Sequence, residues 1–203
     1  MARGRLRAAL TFALLTAAYV AAGRLGLSLA FVNESASPVW PPTGLAIGAL
    51  LILGLRAWPA IAAGAFIVNF TTSGVVASSA VIALGNTLEG IAGAWLANRY
   101  ARGGAAFDRT PDVLRFVLIA AAASTIAASV GAAALVAAGL APPRDGGTIW
   151  FTWWLGDAAG AIVVAPLVLL WTRRSGMTAL RERMGEAAGL MATLVLVSLA
   201  VFG

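Results

Sequence analysis

Glu89, Asp157 and Arg24 are the side chains through which this chain could do chemistry, because each lies inside a long apolar stretch. An ionised group in such a place is unfavourable unless it is paired or wetted. Glu89 stands within Gly85-Asn86-Thr87-Leu88-Glu89-Gly90. Helical spacing puts Asn86, Glu89, Gly90 and Gly93 on one face, at i, i+3, i+4 and i+7. That face is small and polar, so it is expected to look inward and to let helices approach closely. Asp157 shares a face with Trp153 and Gly160, while Asn69 closes another apolar stretch. Arg24, Asn69, Asn86, Glu89 and Asp157 are thus expected to converge from four helices on the outer half of a bundle. Two readings stand side by side. In one, a polar pocket opens outward and Arg24, Glu89 and Asp157 contact a ligand or ion. In the other, Arg24 neutralises one carboxylate inside a structural network, and the amides satisfy backbone. Two acids against one arginine leave a net negative charge or one protonated acid.

The elements that must hold these groups are membrane spans. Hydrophobic residues make up 61% of the chain, mean hydropathy is +0.91, and 11% of residues are charged. A water-soluble domain would carry about 25% charged residues. Spans of roughly 20 apolar residues are expected near 8–31, 39–55, 57–72, 76–98, 111–139, 150–172 and 187–203. The fold class is therefore an all-α integral membrane protein, a polytopic helical bundle of about seven transmembrane helices forming one domain over 1–203. The first stretch has a charged start and an apolar core like a signal peptide. It continues through Leu25-Val32 with more spans behind it, which favours an uncleaved helix. Seven spans with a final stretch ending at Gly203 suggest truncation: an eighth helix and a cytoplasmic segment are expected beyond it.

All fourteen basic residues are arginine, and the net charge is +6. The charge follows the loops rather than any nucleic-acid patch. Arg3, Arg5, Arg7, Arg56, Arg99, Arg102, Arg109, Arg115, Arg173, Arg174, Arg181 and Arg183 fall on alternate connections, with Arg144 on the other side. The positive-inside rule then sets the N terminus and those loops in the cytoplasm. Membrane lipid is the expected surrounding partner, and no nucleic acid is expected. With no His, Cys or Lys, the chain can form no Ser-His or Cys-His nucleophile, no imidazole or thiolate metal site and no Schiff base. A phospho-accepting histidine is likewise excluded. No cofactor and no metal is expected.

Trp40-Pro41-Pro42-Thr43-Gly44 reads as an extended lead-in to the second helix, because proline suits a first helical turn. Such backbone is tolerated at membrane depth only where protein or water satisfies it. Pro59 starts the third helix after a tight turn, Pro166 is expected to kink the sixth, and Thr110-Pro111-Asp112 suits the start of the fifth. Trp40, Trp150, Trp153 and Trp154 gather near the expected outer boundary, where an aromatic belt accounts for them without a ligand. Their nearness to Asp157 leaves Trp40, Trp153 and Trp154 as candidate pocket aromatics. The small-xxx-small runs Gly44–Gly48 and Gly156–Gly160 are packing devices first.

Taken in order, these motifs resemble a known family. Trp40-Pro41-Pro42-Thr43-Gly44, Arg56 with Trp58-Pro59, and Gly64-Ala65-Phe66 with Asn69 look like the first type of bacterial membrane-associated sensor (MASE) domain. Gly85-Asn86-Thr87-Leu88-Glu89 with Gly93-Ala94, Asp112-Val113 and Trp153-Trp154-Leu155-Gly156-Asp157 continue the match over roughly 24–172. The resemblance implies a sensory input domain of about eight helices in the bacterial inner membrane. It would be followed in the same polypeptide by a cyclic di-GMP enzyme or a histidine kinase, and homodimerisation is implied by such outputs. It brings no ligand-binding residues with it. The stimulus would be a small molecule or a protein. A transporter-like substrate-binding protein is the second reading, prompted by the proline-broken helix at Trp40-Gly44. An intramembrane enzyme using Glu89 and Asp157 as acid and base ranks last, lacking a nucleophile-base pair or metal set.

Overall fold

A computed structural model of the protein describes residues 2–28, 30 and 35–172. The chain divides into two compact units, Met1–Val168 and Leu169–Gly203, and only residues 169–172 of the second are described. Six α-helices occur among the described residues: α1 (Ala2–Leu27), α2 (Pro41–Leu53), α3 (Trp58–Ser73), α4 (Val76–Tyr100), α5 (Thr110–Ala137) and α6 (Gly146–Trp171). Each coincides with one of the expected apolar stretches. The seventh, 187–203, and the arginines at 173, 174, 181 and 183 lie outside the described residues.

The expectation of about seven crossings needs correction. Among the described residues, four helices are long and apolar enough to cross a membrane, at Gly4–Leu27, Val76–Tyr100, Thr110–Ala137 and Pro143–Trp171. The 13 residues of α2 and the 16 of α3 fall short: at 1.5 Å per residue they reach about 20 and 24 Å, against a hydrocarbon core of about 30 Å. Hydropathy reads the whole apolar run, whereas the helix obeys its punctuation. Pro41 and Pro42 open α2, and Gly54 closes it at φ 84°, a left-handed conformation that glycine adopts without strain. A 3-10 turn, Leu55–Ala57, then leads to Pro59 in the first turn of α3, and Gly74 at φ 69° ends that helix by donating its N–H to Phe70 O.

Ahead of α2 the chain is extended rather than helical, and it is largely covered, with Val39 exposed. Ala36, Ser37 and Trp40 are almost fully covered. The Trp40 N–H donates to Gly156 O of α6 at 3.0 Å, and the Ser37 hydroxyl donates to Val39 O at 2.9 Å. Non-helical backbone among apolar helices is acceptable on those terms, with its polar groups satisfied by protein. The Arg56 turn lies against the N-terminal half of α1: a cleft of about 500 Å³ is lined by Ala8, Thr11, Phe12 and Leu15 on one side and by Arg56, Pro59 and Ala60 on the other. α4 is the hub, packing on α2, α3 and α5, while α1 packs on α2 and α3.

Small residues set how closely these helices approach. Without a hydrophobic drive between helices in lipid, close van der Waals contact holds them. Gly64 of α3 lies under the Tyr19 ring of α1, and a Cβ there would come within 2.8 Å of Tyr19 Cβ. Gly131 of α5 receives the Trp153 ring of α6 in the same way, at 2.5 Å.

Candidate functional site

Glu89 and Asp157 meet at the centre of the bundle. Glu89 lies near the middle of α4 and is 1% exposed, and Asp157 of α6 is 0% exposed. Thr43, in the first turn of α2, stands between them. Its hydroxyl donates to Asp157 Oδ1 at 2.7 Å and lies 3.4 Å from Glu89 Oε2. A hydroxyl carries one proton to donate, and the shorter distance assigns it to Asp157.

The local sequence explains why these three groups coincide. Prolines at the first two helical positions of α2 have no N–H to lose, and the Thr43 N–H is satisfied by Trp40 O at 3.3 Å. On α6, Gly156 and Gly160 flank Asp157 and leave a bare strip of backbone. A Cβ at Gly156 would collide with Ser37 O, and one at Gly160 with Trp40 O. Gly44 of α2 sits directly on Gly160 O. The extended lead-in therefore nests in the glycine strip, and the tight fit carries Thr43 up against Asp157.

Further polar groups surround this bridge. Tyr19 of α1, 1% exposed, lies by the Trp40 indole and within electrostatic reach of Asp157 and Glu89. Ser124 of α5 is buried and faces Glu89. Asn86, one turn before Glu89 on α4, is buried as well. Asp157 Oδ2 and both amide atoms of Asn86 are buried without a hydrogen bond, while Ser124 Oγ faces Glu89 and Trp40 Nε1 faces Tyr19 without reaching good hydrogen-bond geometry. Buried polar groups are overwhelmingly satisfied in folded proteins, so each of these atoms calls for a physical explanation.

The structure departs from the expected convergence at two residues. Arg24 is exposed on α1 and lines a separate cleft of about 380 Å³ with Leu27, Ser28, Ala30, Thr71 and Thr72. It pairs with neither acid. Near a helix end, a long arginine side chain reaches polar surroundings instead of entering the core. Among the described residues, Arg102 and Arg115 pair with Asp112 and Arg144 with Asp145, and no described cation pairs with Glu89 or Asp157. Asn69 is buried but turned onto its own helix, where Nδ2 donates to Ala65 O at 2.9 Å.

The tryptophans do not form one belt either. Trp40 is buried against Gly23 and Gly26 of α1. Trp153 is a core residue clustered with Ala128, Ala132, Leu135 and Ile149. Trp154 donates to Ala121 O at 2.8 Å and stacks on Trp150, which donates to Ser129 Oγ at 3.0 Å. These contacts fasten α6 to α5. Only Trp40 of the candidate pocket aromatics adjoins the acids, through Tyr19 and the lead-in.

Sequence reasoning missed Thr43, Tyr19 and Ser124. Thr43 was visible inside the Trp40-Gly44 motif but read only as helix-start chemistry. Tyr19 is one of two tyrosines, in mid-span, where a phenol needs a polar neighbour. Ser124 carried no signal, since serine is ordinary at helix interfaces.

The MASE1 family model matches residues 9–203 of this chain. Comparison with curated proteins and with solved structures returned no match.

Proposed function

The chain belongs to the MASE1 family, and from that premise we propose that it detects an extracytoplasmic or intramembrane stimulus and passes it to a cytoplasmic output. A multi-pass membrane sensory domain is what family and apolar helices together indicate. In our reading the output is a cyclic di-GMP enzyme or a histidine kinase, the membrane is the bacterial inner membrane, and the N terminus is cytoplasmic, following the arginine distribution. We read the domain as non-catalytic and as working in a homodimer.

One observation carries the location of the sensing site: the buried Glu89–Thr43–Asp157 bridge, which ties α2, α4 and α6 through a single hydroxyl. A stimulus shifts an equilibrium between packings only by interacting differently with each. A centre with unpartnered acceptors on α4 and α6 answers that requirement, because any change in its occupancy changes what those helices gain from staying together. The transport reading rests on the proline-led start of α2, whereas the family points to sensing.

The test is to replace Glu89 by Gln and Asp157 by Asn in the signalling protein that carries this domain, and to assay its output. The reading expects output locked high or low in at least one variant at normal membrane abundance. Wild-type regulation in both variants would remove these acids from signal detection and transmission.

A further inference from the structure

We propose that the Glu89–Asp157 centre binds a desolvated hard cation, held between the two carboxylates and completed by the Thr43 and Ser124 hydroxyls and the Asn86 amide oxygen. This rests on reading the buried polar centre as the sensing site, and it names the ligand class.

Charge is the first ground. Two acids from different helices are brought to one hydroxyl, at 2.7 and 3.4 Å, in a place with essentially no exposure. Among the described residues no arginine accompanies them, and Arg24 lies exposed on α1. Isolated buried charge is strongly unfavourable, and buried acids are ordinarily paired or coordinate metal.

Unspent coordination is the second. Asp157 Oδ2 and Asn86 Oδ1 are buried and accept nothing, and Glu89 Oε1 and Ser124 Oγ are buried facing one another without a well-formed hydrogen bond, so the set comes from α4, α5 and α6. All four are oxygens, as is Thr43 Oγ1. An all-oxygen set suits sodium, calcium or magnesium and not the thiolate- and imidazole-seeking metals. The chain has neither His nor Cys, and no group of three or more acidic side chains gathers among the described residues. The set is thus a weakly charged cage, with hydroxyl and amide oxygens making up the coordination. Asn86 Nδ2 and Trp40 Nε1 are donors and stand outside it.

The consequence is mechanical. A cation here contacts α4, α5 and α6 directly and α2 through Thr43, so binding tightens the proline-led helix against the bundle. Emptying the site leaves α2 held by the glycine strip and the Trp40–Gly156 hydrogen bond.

The test is thermal unfolding of the purified 203-residue protein in lipid nanodiscs, followed by tryptophan fluorescence. Sodium, potassium, magnesium and calcium chlorides are each titrated against N-methylglucamine chloride at constant ionic strength. A ligand that binds only the folded state raises the melting temperature with its concentration. The proposal expects a saturable, ion-specific rise in wild type, lost in Glu89→Gln and Asp157→Asn, with the midpoint moved at least about tenfold by Asn86→Ala, the equivalent of about 1.4 kcal/mol. It is overturned if no ion exceeds the N-methylglucamine control, if acidification alone stabilises the protein, or if the response persists in both acid variants. Should those variants fail to fold, an unchanged midpoint in both Asn86→Ala and Ser124→Ala overturns it equally. Altered output in the acid variants with no ion response would sink the cation and keep the sensing site. A bound ion with indifferent output would do the reverse.

Discussion

The Thr43 hydroxyl reaches Asp157, 114 residues further along the chain, at 2.7 Å, and lies 3.4 Å from Glu89, 46 residues away. One side chain at the start of a short helix therefore joins the acids of two long ones. Valine is nearly the same size and lacks the hydroxyl, so Thr43→Val isolates that link. Leaving a buried carboxyl without its donor is unfavourable by about 1–3 kcal/mol, and Thr43→Val is expected to be less stable by that amount. Thr43→Ser should keep most of it. Equal stability of the valine variant and wild type in denaturant titration would show that the bridge contributes nothing.

The glycine strip on α6 gives a sharper steric prediction. A methyl at Gly160 would meet Trp40 O, and one at Gly156 would meet Ser37 O, both backbone atoms with no flexible end to move aside. Overpacking of this kind costs about 1–3 kcal/mol. Gly160→Ala and Gly156→Ala should each lower the melting temperature, whereas Gly147→Ala, with nothing within 4 Å, should not. A neutral result at both 156 and 160 would contradict the nested lead-in.

Arg24 should be energetically silent toward the acids. It is exposed and lines a cleft that contains neither of them. A double-mutant cycle of Arg24→Gln with Glu89→Gln, and another with Asp157→Asn, is expected to give coupling within about 0.5 kcal/mol of zero. A coupling above about 1 kcal/mol in either cycle would restore the salt-bridge network.

Asp112 holds the loop between α4 and α5. It is 3% exposed, accepts from Arg115 at 2.8 Å, and has Arg102 at 3.9 Å, the latter residue at φ 61°. It also sits in the first turn of α5, where negative charge is favoured. Both arginines are about half exposed, so solvent screens much of each pair. Asp112→Asn is expected to destabilise by about 1 kcal/mol, with faster proteolysis of the 101–109 loop as the second readout. A loop cleaved at the wild-type rate would show that the clasp does not order it.

Trp153→Ala should be the most damaging of the tryptophan changes. Its ring is 4% exposed and fills the space over Gly131, so truncation leaves a cavity worth about 3–5 kcal/mol. Trp150→Ala, at a partly buried position, should lose less. The reverse order in thermal unfolding would return Trp153 to an interfacial role.

Composition and local punctuation by themselves determined the solvent of this protein, the positions of its six described helices and the identity of its two central acids. Those properties are local: apolar length marks a helix in lipid, Pro41, Pro42 and Pro59 mark helix starts, and an acid in mid-span has to turn inward. The family resemblance was legible for the same reason, since it rests on short ordered motifs. Helix reach was not, because hydropathy runs on through Gly54 and Gly74, where the backbone turns. Which groups share the centre was decided only by tertiary packing. Helical periodicity assigns a face to Glu89 but says nothing of what faces it. The close approach of Gly156 and Gly160 to the extended lead-in, and of Gly44 to α6, brought Thr43 to Asp157, while Arg24 lies exposed near the end of α1.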